Sequence, residues 1–204
     1  MTATICESNN TASQPVCLRS CPVCEADNRT EDILTSSRDH WELKNCKRCG
    51  MVYLENPPPV GALVDQYNWT STFKEEAIRR QGARPMLSRI SGFWKRWRGR
   101  WLPRRKLERL IKHHVRSGNL LDIGCGTAAH FDRLPNSITP FGVEIDSQTV
   151  DVARQRAQKK GGDIVHADAL NGIKHFKAAS LNGIVMHSFL EHEVAPLELL
   201  LAAR

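Results

Sequence analysis

The second half of the chain alternates short apolar runs with amphipathic stretches. Its first run, Asn119 to Ile123, leads into Gly124 and Gly126, and reads as a buried strand, a glycine loop and a following helix. A second strand, within FGVEID, ends at Glu144. Behind it, Asp146 or Ser147 caps a helix whose inner face carries Val150, Ala153 and Ala157, and Gly161 stops that helix. DIVHADAL supplies a third strand with Asp168 just beyond its end, and LNGIVMHSFLEH a fourth that ends near Met186. Upstream, Leu107, Leu110, Ile111 and Val115 share one face of a helix that starts near Pro103 and stops at Gly118. Strands alternating with helices predict the α/β class, with a doubly wound, mostly parallel sheet. Ligands of such sheets sit outside the carboxyl ends of the strands, where the glycine loop, Glu144, Asp168 and His187 fall.

The first half shows a different pattern. Cys21 and Cys24 form one C-x2-C pair and Cys46 and Cys49 another, with 21 residues between the pairs. Candidate strands, Asp32 to Thr35, Trp41 to Lys44 and Met51 to Leu54, lie between and after them. So few apolar residues cannot build a stable core, so a bound metal is expected to supply much of the folding free energy. Two tight turns of two thiolates each complete a tetrahedral four-cysteine site for structural zinc. Such a closed site has no open position for chemistry. Cys17 is near enough in sequence to substitute as a ligand, whereas Cys6 falls in a polar tail expected to be disordered.

Composition changes this picture at one place. The net charge is +7, yet residues 72–118 alone hold fifteen Lys or Arg against three Asp or Glu, so the remainder is net acidic. Within that segment Met86, Ile90, Trp94, Trp97 and Trp101 recur at helical spacing, broken by Gly92 and Gly99. A helix packed on the following domain with a solvated basic face accounts for the pattern. Trp beside Arg or Lys on residues 94–116 also suits an anionic membrane surface, and it equally suits a nucleic-acid backbone. No apolar run approaches the roughly 20 residues that span a bilayer. The opening residues, MTATICESNN, lack a basic start followed by an apolar stretch, so the expected location is cytoplasmic, with peripheral membrane contact as an option.

The glycine loop alone leaves two cofactors open. GCGTAA fits a loose dinucleotide pattern, and Glu144 lies 20 residues after Gly124, where a ribose-binding acid belongs. Asp122 argues against a dinucleotide, because its carboxylate would face a pyrophosphate. It would instead favour the ammonium and sulfonium of S-adenosylmethionine (SAM). Asp168 is placed to accept from an adenine amino group. LLDIGCGTA, GVEID, HADAL and HSFLEH, in this order, resemble the successive motifs of class I SAM-dependent methyltransferases, which have a Rossmann-like sheet. The four-cysteine module followed by PPP resembles the zinc-ribbon-like N-terminal part of a subgroup of these enzymes.

The resemblance implies backbone contacts from Gly124 and Gly126 to the methionine part of SAM. It implies that Glu144, with Ile145, holds the ribose, that Asp168 with Ala169 recognises adenine, and that Asp122 helps place the amino end. Ala128, where the family often has a third glycine, reads as a minor departure. Methyl transfer to an unidentified acceptor, expected to be a small molecule, rests mainly on positioning. His187 is the least poor candidate for a general base. The expected layout is a tail over 1–16, the zinc module over 17–58, a basic Trp-rich helical linker over 59–102 and the SAM-binding domain over 103–204. The family's core continues beyond strand four, so the domain is expected to be incomplete at Arg204, with that strand as an apolar edge. The competing expectation is a non-catalytic module that binds nucleic acid or membrane and carries a vestigial methyltransferase domain.

Overall fold

The computed structural model describes residues 4–7, 16–38, 41–57 and 106–204. The chain divides into two compact units, Met1–Leu63 with Leu190–Arg204, and Val64–Phe189. The linker read over 59–102, with Trp94, Trp97 and Trp101, lies outside the described residues.

In the first unit, β1 (Thr4–Glu7) pairs antiparallel with β2 (Val16–Arg19). A strand therefore runs within the stretch read as a disordered tail, its backbone groups satisfied by β2. A second antiparallel pair joins β3 (Leu43–Asn45) to β4 (Val52–Leu54), with Lys44 opposite Tyr53. The strand expected over Asp32 to Thr35 does not form. Leu34 instead gives a single backbone bond to Leu43 at 2.9 Å, and Arg38 and Trp41 make an isolated bridge. Lys44, beneath this pair, is almost fully buried. Its ammonium stands 3.5 Å from Glu55 and donates to the carbonyls of Arg29 and Glu31. Burial of a lysine is tolerable only with such partners. Burial also raises the Glu55 carboxyl above its ordinary range, against the pull of Lys44. At the other end of the chain α4 (Pro196–Ala202) starts with proline in its first turn and buries Leu199. The Val194 carbonyl before it accepts from the Arg19 guanidinium.

The second unit is a parallel sheet with helices between its strands. Its described elements are α1 (Lys106–His114), β5 (Gly118–Ile123), β6 (Ile138–Glu144), α2 (Ser147–Gln158), β7 (Ile164–His166), α3 (Ala169–Ile173) and β8 (Gly183–Val185). The strand order is β7-β6-β5-β8, every pairing parallel. The central strands are buried on both faces, as parallel strands between helices must be. Leu120, Ile138, Phe131, Val150, Ala153, Ala157 and Ile164 close the core with Ile111 and Val115 of α1. Asp146 caps α2, accepting from Gln148 at 2.9 Å.

The helix expected after the glycine loop is reduced to one 3-10 turn, Phe131–Arg133. Pro135 disfavours helical backbone at Leu134, which is extended, so the turn ends there. Among the described residues β8 is an edge of the sheet, with Ile184, Val185 and Met186 half-buried, as the apolar-edge expectation had it. No helix among the described residues is long and apolar enough to cross a membrane.

Candidate functional site

Four sulfurs converge in the first unit. The ligand atoms of Cys21, Cys24, Cys46 and Cys49 all lie within 4.8 Å of one another, with 3.6 Å from Cys21 to Cys49 and 3.4 Å from Cys24 to Cys46. Two equivalent turns build this cluster. The amide of Glu25 donates to Cys21 and that of Gly50 to Cys46, at 2.9 and 2.8 Å. Cys21 and Cys46 in turn donate to Ala26 and Met51, each five residues on. Each turn needs a left-handed residue just past its second cysteine. Gly50 supplies one at φ +74° and Glu25 the other at φ +60°, where a side chain is strained. Asn28 braces the cluster, bonding the Tyr53 hydroxyl, the Ala26 carbonyl and the Lys47 amide.

A tetrahedral ion with sulfur at about 2.3 Å needs sulfurs about 3.8 Å apart, close to what is found. Burial pushes the Cys46 thiol up, but the amides of Cys49 and Arg48, with Cys24 and Asn28, outweigh it and bring the thiol down to about 6. Cys49 accepts a bond from Met51 that lowers it, yet burial and the neighbouring sulfurs push it up to about 12. Crowded thiols thus hold their protons unequally. Cys6 and Cys17 are Cα partners in the β1–β2 ladder.

The second site lies at the carboxyl ends of β5, β6 and β7. Gly124 and Gly126 leave β5 at φ +72° and +53°. The amides of Gly124 and Cys125 donate to the Val143 carbonyl at 2.9 and 3.3 Å, which ties the loop to β6. A Cβ on Gly124 would lie 2.2 Å from the Phe189 ring, so glycine is required there for packing as well as for backbone. Ala128 is fully buried at φ +50°. The departure read as minor therefore places a methyl group in a strained conformation, at a cost of about 1–2 kcal/mol relative to glycine backbone. Cys125 is buried against Gly142, and burial raises its thiol. It fills space beside β6.

Glu144 closes this loop. Its buried carboxylate accepts from Gly126 at 2.6 Å, Ile145 at 3.0 Å and Asp146 at 2.9 Å. Asp168 is not a free acid. It caps α3, taking the Asn171 amide and side chain at 2.9 and 2.7 Å, and Ala169 behind it is buried. Burial raises the Asp168 carboxyl, but these bonds outweigh it and hold the group below its ordinary range. Asp122 sits inside β5 and is 3% exposed. It does not cap a helix. Its Oδ2 lies 3.3 Å from Nε2 of His130, a residue that sequence reasoning passed over because only the turn of the loop brings it back. Burial, then Glu144, pushes Asp122 up to about 8.

His187 is exposed just past β8. It stands at one side of a cavity of about 350 Å³ between α1 and β8, lined by Leu107, Ile111, Leu120 and Val185. This apolar space lies on the β5–β8 half of the sheet, opposite β7. The described end of the basic segment, on and after α1, exposes Lys106, Arg109, Lys112 and Arg116.

Residues 121–204 match the family described as Methyltransferase domain, so the resemblance read from LLDIGCGTA onward holds over that stretch. Solved structures similar to this chain include the YcgJ protein from Bacillus subtilis, at 22% identity over 46% of this chain and 42% of that one (TM-score 0.38). A SAM-dependent methyltransferase from Archaeoglobus fulgidus matches at 21% identity over 54% and 52% (TM-score 0.39). One from Thiobacillus denitrificans, in complex with S-adenosyl-L-homocysteine, matches at 19% over 31% and 29% (TM-score 0.26). The matches span about half or less of those proteins' length. No curated protein matches.

Proposed function

We propose that this chain binds SAM at the carboxyl edge of its parallel sheet and belongs to an enzyme that transfers the methyl group to a small-molecule acceptor. The observation that carries the reading is the junction of the glycine loop with Glu144, inside the stretch that matches the methyltransferase family. The donor set fits the cofactor. Glu144 offers a fixed acceptor for ribose hydroxyls, Asp122 an acid for a cationic end, and the backbone at Gly126, with nothing near its α-carbon, an unobstructed approach on the loop. Asp168 and Ala169 at the start of α3 would flank adenine, and Ile145 would cover the ribose beside Glu144. When bound, SAM supplies an activated methyl group on a sulfonium. The chain contributes binding, orientation and exclusion of water. His187 remains the candidate to take a proton from the acceptor, since it is exposed beyond β8 at the same strand edge.

In the same reading Cys21, Cys24, Cys46 and Cys49 hold a structural zinc. The sulfur spacing and the paired turns support this, and a four-thiolate set leaves no ligand position for chemistry. Calorimetry on the chain with SAM, and separately with a nicotinamide dinucleotide, tests the cofactor. SAM is expected to bind more tightly. Tighter binding of the dinucleotide would overturn the proposal.

A further inference from the structure

The two sides of α1 carry different residues. Leu107, Ile111 and, just past the helix end, Val115 turn into the core. Lys106, Arg109 and Lys112 lie on the other side, all exposed, with His113 among them and Arg116 exposed just beyond the helix. At 3.6 residues per turn, these three cations and His113 span about 120° of arc. The one acid of the helix, Glu108, is buried and accepts from Arg133 at 2.9 Å. The outer face therefore has no acid of its own.

The other described arginines of the second unit all meet carboxylates. Arg133 pairs with Glu108, Arg154 with Asp151 and Asp163 at 3.1 and 3.4 Å, and Arg156 with Asp132 at 3.2 Å. Among the described residues, none of Lys106, Arg109, Lys112 and Arg116 pairs with an acid. Like charges three residues apart on a helix repel, as Lys106 and Arg109 do, and Arg109 and Lys112. The spacing works against the helix, and an anion from outside relieves it. In the sequence, residues 94–105 just before α1 add six Lys or Arg and no Asp or Glu.

An anionic bilayer and a nucleic acid both present phosphates, and the packing of α1 separates them. A helix holds a bilayer by sinking an apolar face below the headgroups. The apolar face of α1 is already used in the core, and Leu110, 50% exposed, is the one large apolar side chain it shows to solvent. A duplex asks only for cations along its backbone, where the phosphates of one strand recur about every 3.4 Å of axis. Residues three apart on α1 present a cation about every 4.5 Å of helix axis. This face has no Asn or Gln to read base edges, and no Trp, Tyr or Phe to stack on unpaired bases. We infer that the outer face of α1, with Arg116, docks the phosphate backbone of a nucleic-acid duplex without reading its sequence. The inference does not depend on the SAM reading.

The test is fluorescence anisotropy of a labelled, mixed-sequence DNA duplex titrated with the full chain over a series of salt concentrations. Affinity should fall as salt rises. Each of Lys106→Gln, Arg109→Gln, Lys112→Gln and Arg116→Gln should reduce the log–log slope by about 0.9, and the four together by about 3–4. Arg154→Gln removes an arginine that already has its acids, and should leave the slope unchanged. A second duplex of unrelated sequence should bind within about twofold of the first, since phosphate contacts carry no sequence information. No binding to the duplex, an unchanged slope in the fourfold variant, an equal loss of slope in Arg154→Gln, or strong preference for one duplex would each overturn the inference. Tighter binding to vesicles of phosphatidylserine in phosphatidylcholine than to the duplex, weakened by the same four changes, would overturn it in favour of a membrane. Circular dichroism checks that the fourfold variant folds; if it does not, the slopes of the four single variants decide.

Discussion

Glu144→Gln isolates what the central carboxylate does for the fold. The native group accepts three amide bonds, from Gly126 at 2.6 Å, Ile145 at 3.0 Å and Asp146 at 2.9 Å. Glutamine keeps the shape and one oxygen, enough for Ile145 and Asp146. Its NH2 would then point at the Gly126 amide, donor against donor. An unsatisfied amide of this kind costs about 1–3 kcal/mol. The two remaining bonds lose their charge assistance, which makes each weaker. The sum is about 2–4 kcal/mol, tolerable in a domain of about 5–15 kcal/mol. Urea unfolding followed by far-UV circular dichroism is the assay, because the five tryptophans, at 41, 69, 94, 97 and 101, all precede α1. A stability within 0.5 kcal/mol of wild type, the usual range for a neutral surface change, would show that Glu144 does not hold the loop. The same bonds limit what Glu144 can give a ligand. A carboxylate has about four lone-pair positions. Two ribose hydroxyls added to three amides exceed that, so ribose binding must displace or share an amide bond. The loss of cofactor affinity in Glu144→Gln should therefore fall below what a free carboxylate would imply, and must be referenced to the folded fraction.

Two further outcomes follow from the other clusters. Elemental analysis should find about one zinc per chain, and Cys46→Ser should lose most of it and unfold the β3–β4 pair; undiminished metal in that variant would remove Cys46 from the site. Stability should also depend on pH through Asp122 and His130. Asp122 is raised from 3.8 to about 8 and His130 lowered from 6.5 to about 4. Between pH 4 and 6.5 the native state keeps the Asp122 proton and lacks the histidine one, so the two slopes cancel. From pH 6.5 to 8 only the Asp122 difference remains, the native state binds more protons, and stability falls by about 1–2 kcal/mol. Asp122→Asn should flatten that fall, and an identical decline in the variant would refute the assignment.

The parallel strands were legible because each holds a short apolar run, two of them ended by Gly124 and Glu144, and burial on both faces demands such runs. The Asp146 cap and the inner face of α2 followed from local rules that tertiary contacts did not override. The paired cysteines were legible for a similar reason, since the spacing within each turn fixes its geometry. The missing helix after the glycine loop had a visible signal in Pro135, outweighed in the reading by the expectation that a loop of this kind opens a helix. The absent strand at Asp32 to Thr35 had none, because the segment's apolar residues, Ile33 and Leu34, do not decide between extended pairing and a single bond to Leu43. The Lys44–Glu55 pair and the approach of His130 to Asp122 depend on which groups the fold buries together, and no spacing rule reports that.

The two acids of the loop show why residue type alone leaves roles open. Asp122 and Glu144 stand on neighbouring paired strands, β5 and β6, near the same sheet edge. By residue type alone they are two carboxylates near the ends of apolar runs, told apart in the sequence only by position. In the fold Glu144 turns into three amides, which a carboxylate satisfies and a protonated acid does not. Asp122 meets no amide donor among these contacts, only an imidazole nitrogen and the field of Glu144. One acid is therefore fixed as a hydrogen-bond acceptor, suited to neutral hydroxyls. The other is suited to a cation, because only a cation offsets the cost of ionising it where it lies. A ligand that carries ribose hydroxyls at one end and an ammonium at the other matches this difference. A dinucleotide, anionic where it meets the loop, would find Asp122 neutral at best and repulsive once ionised.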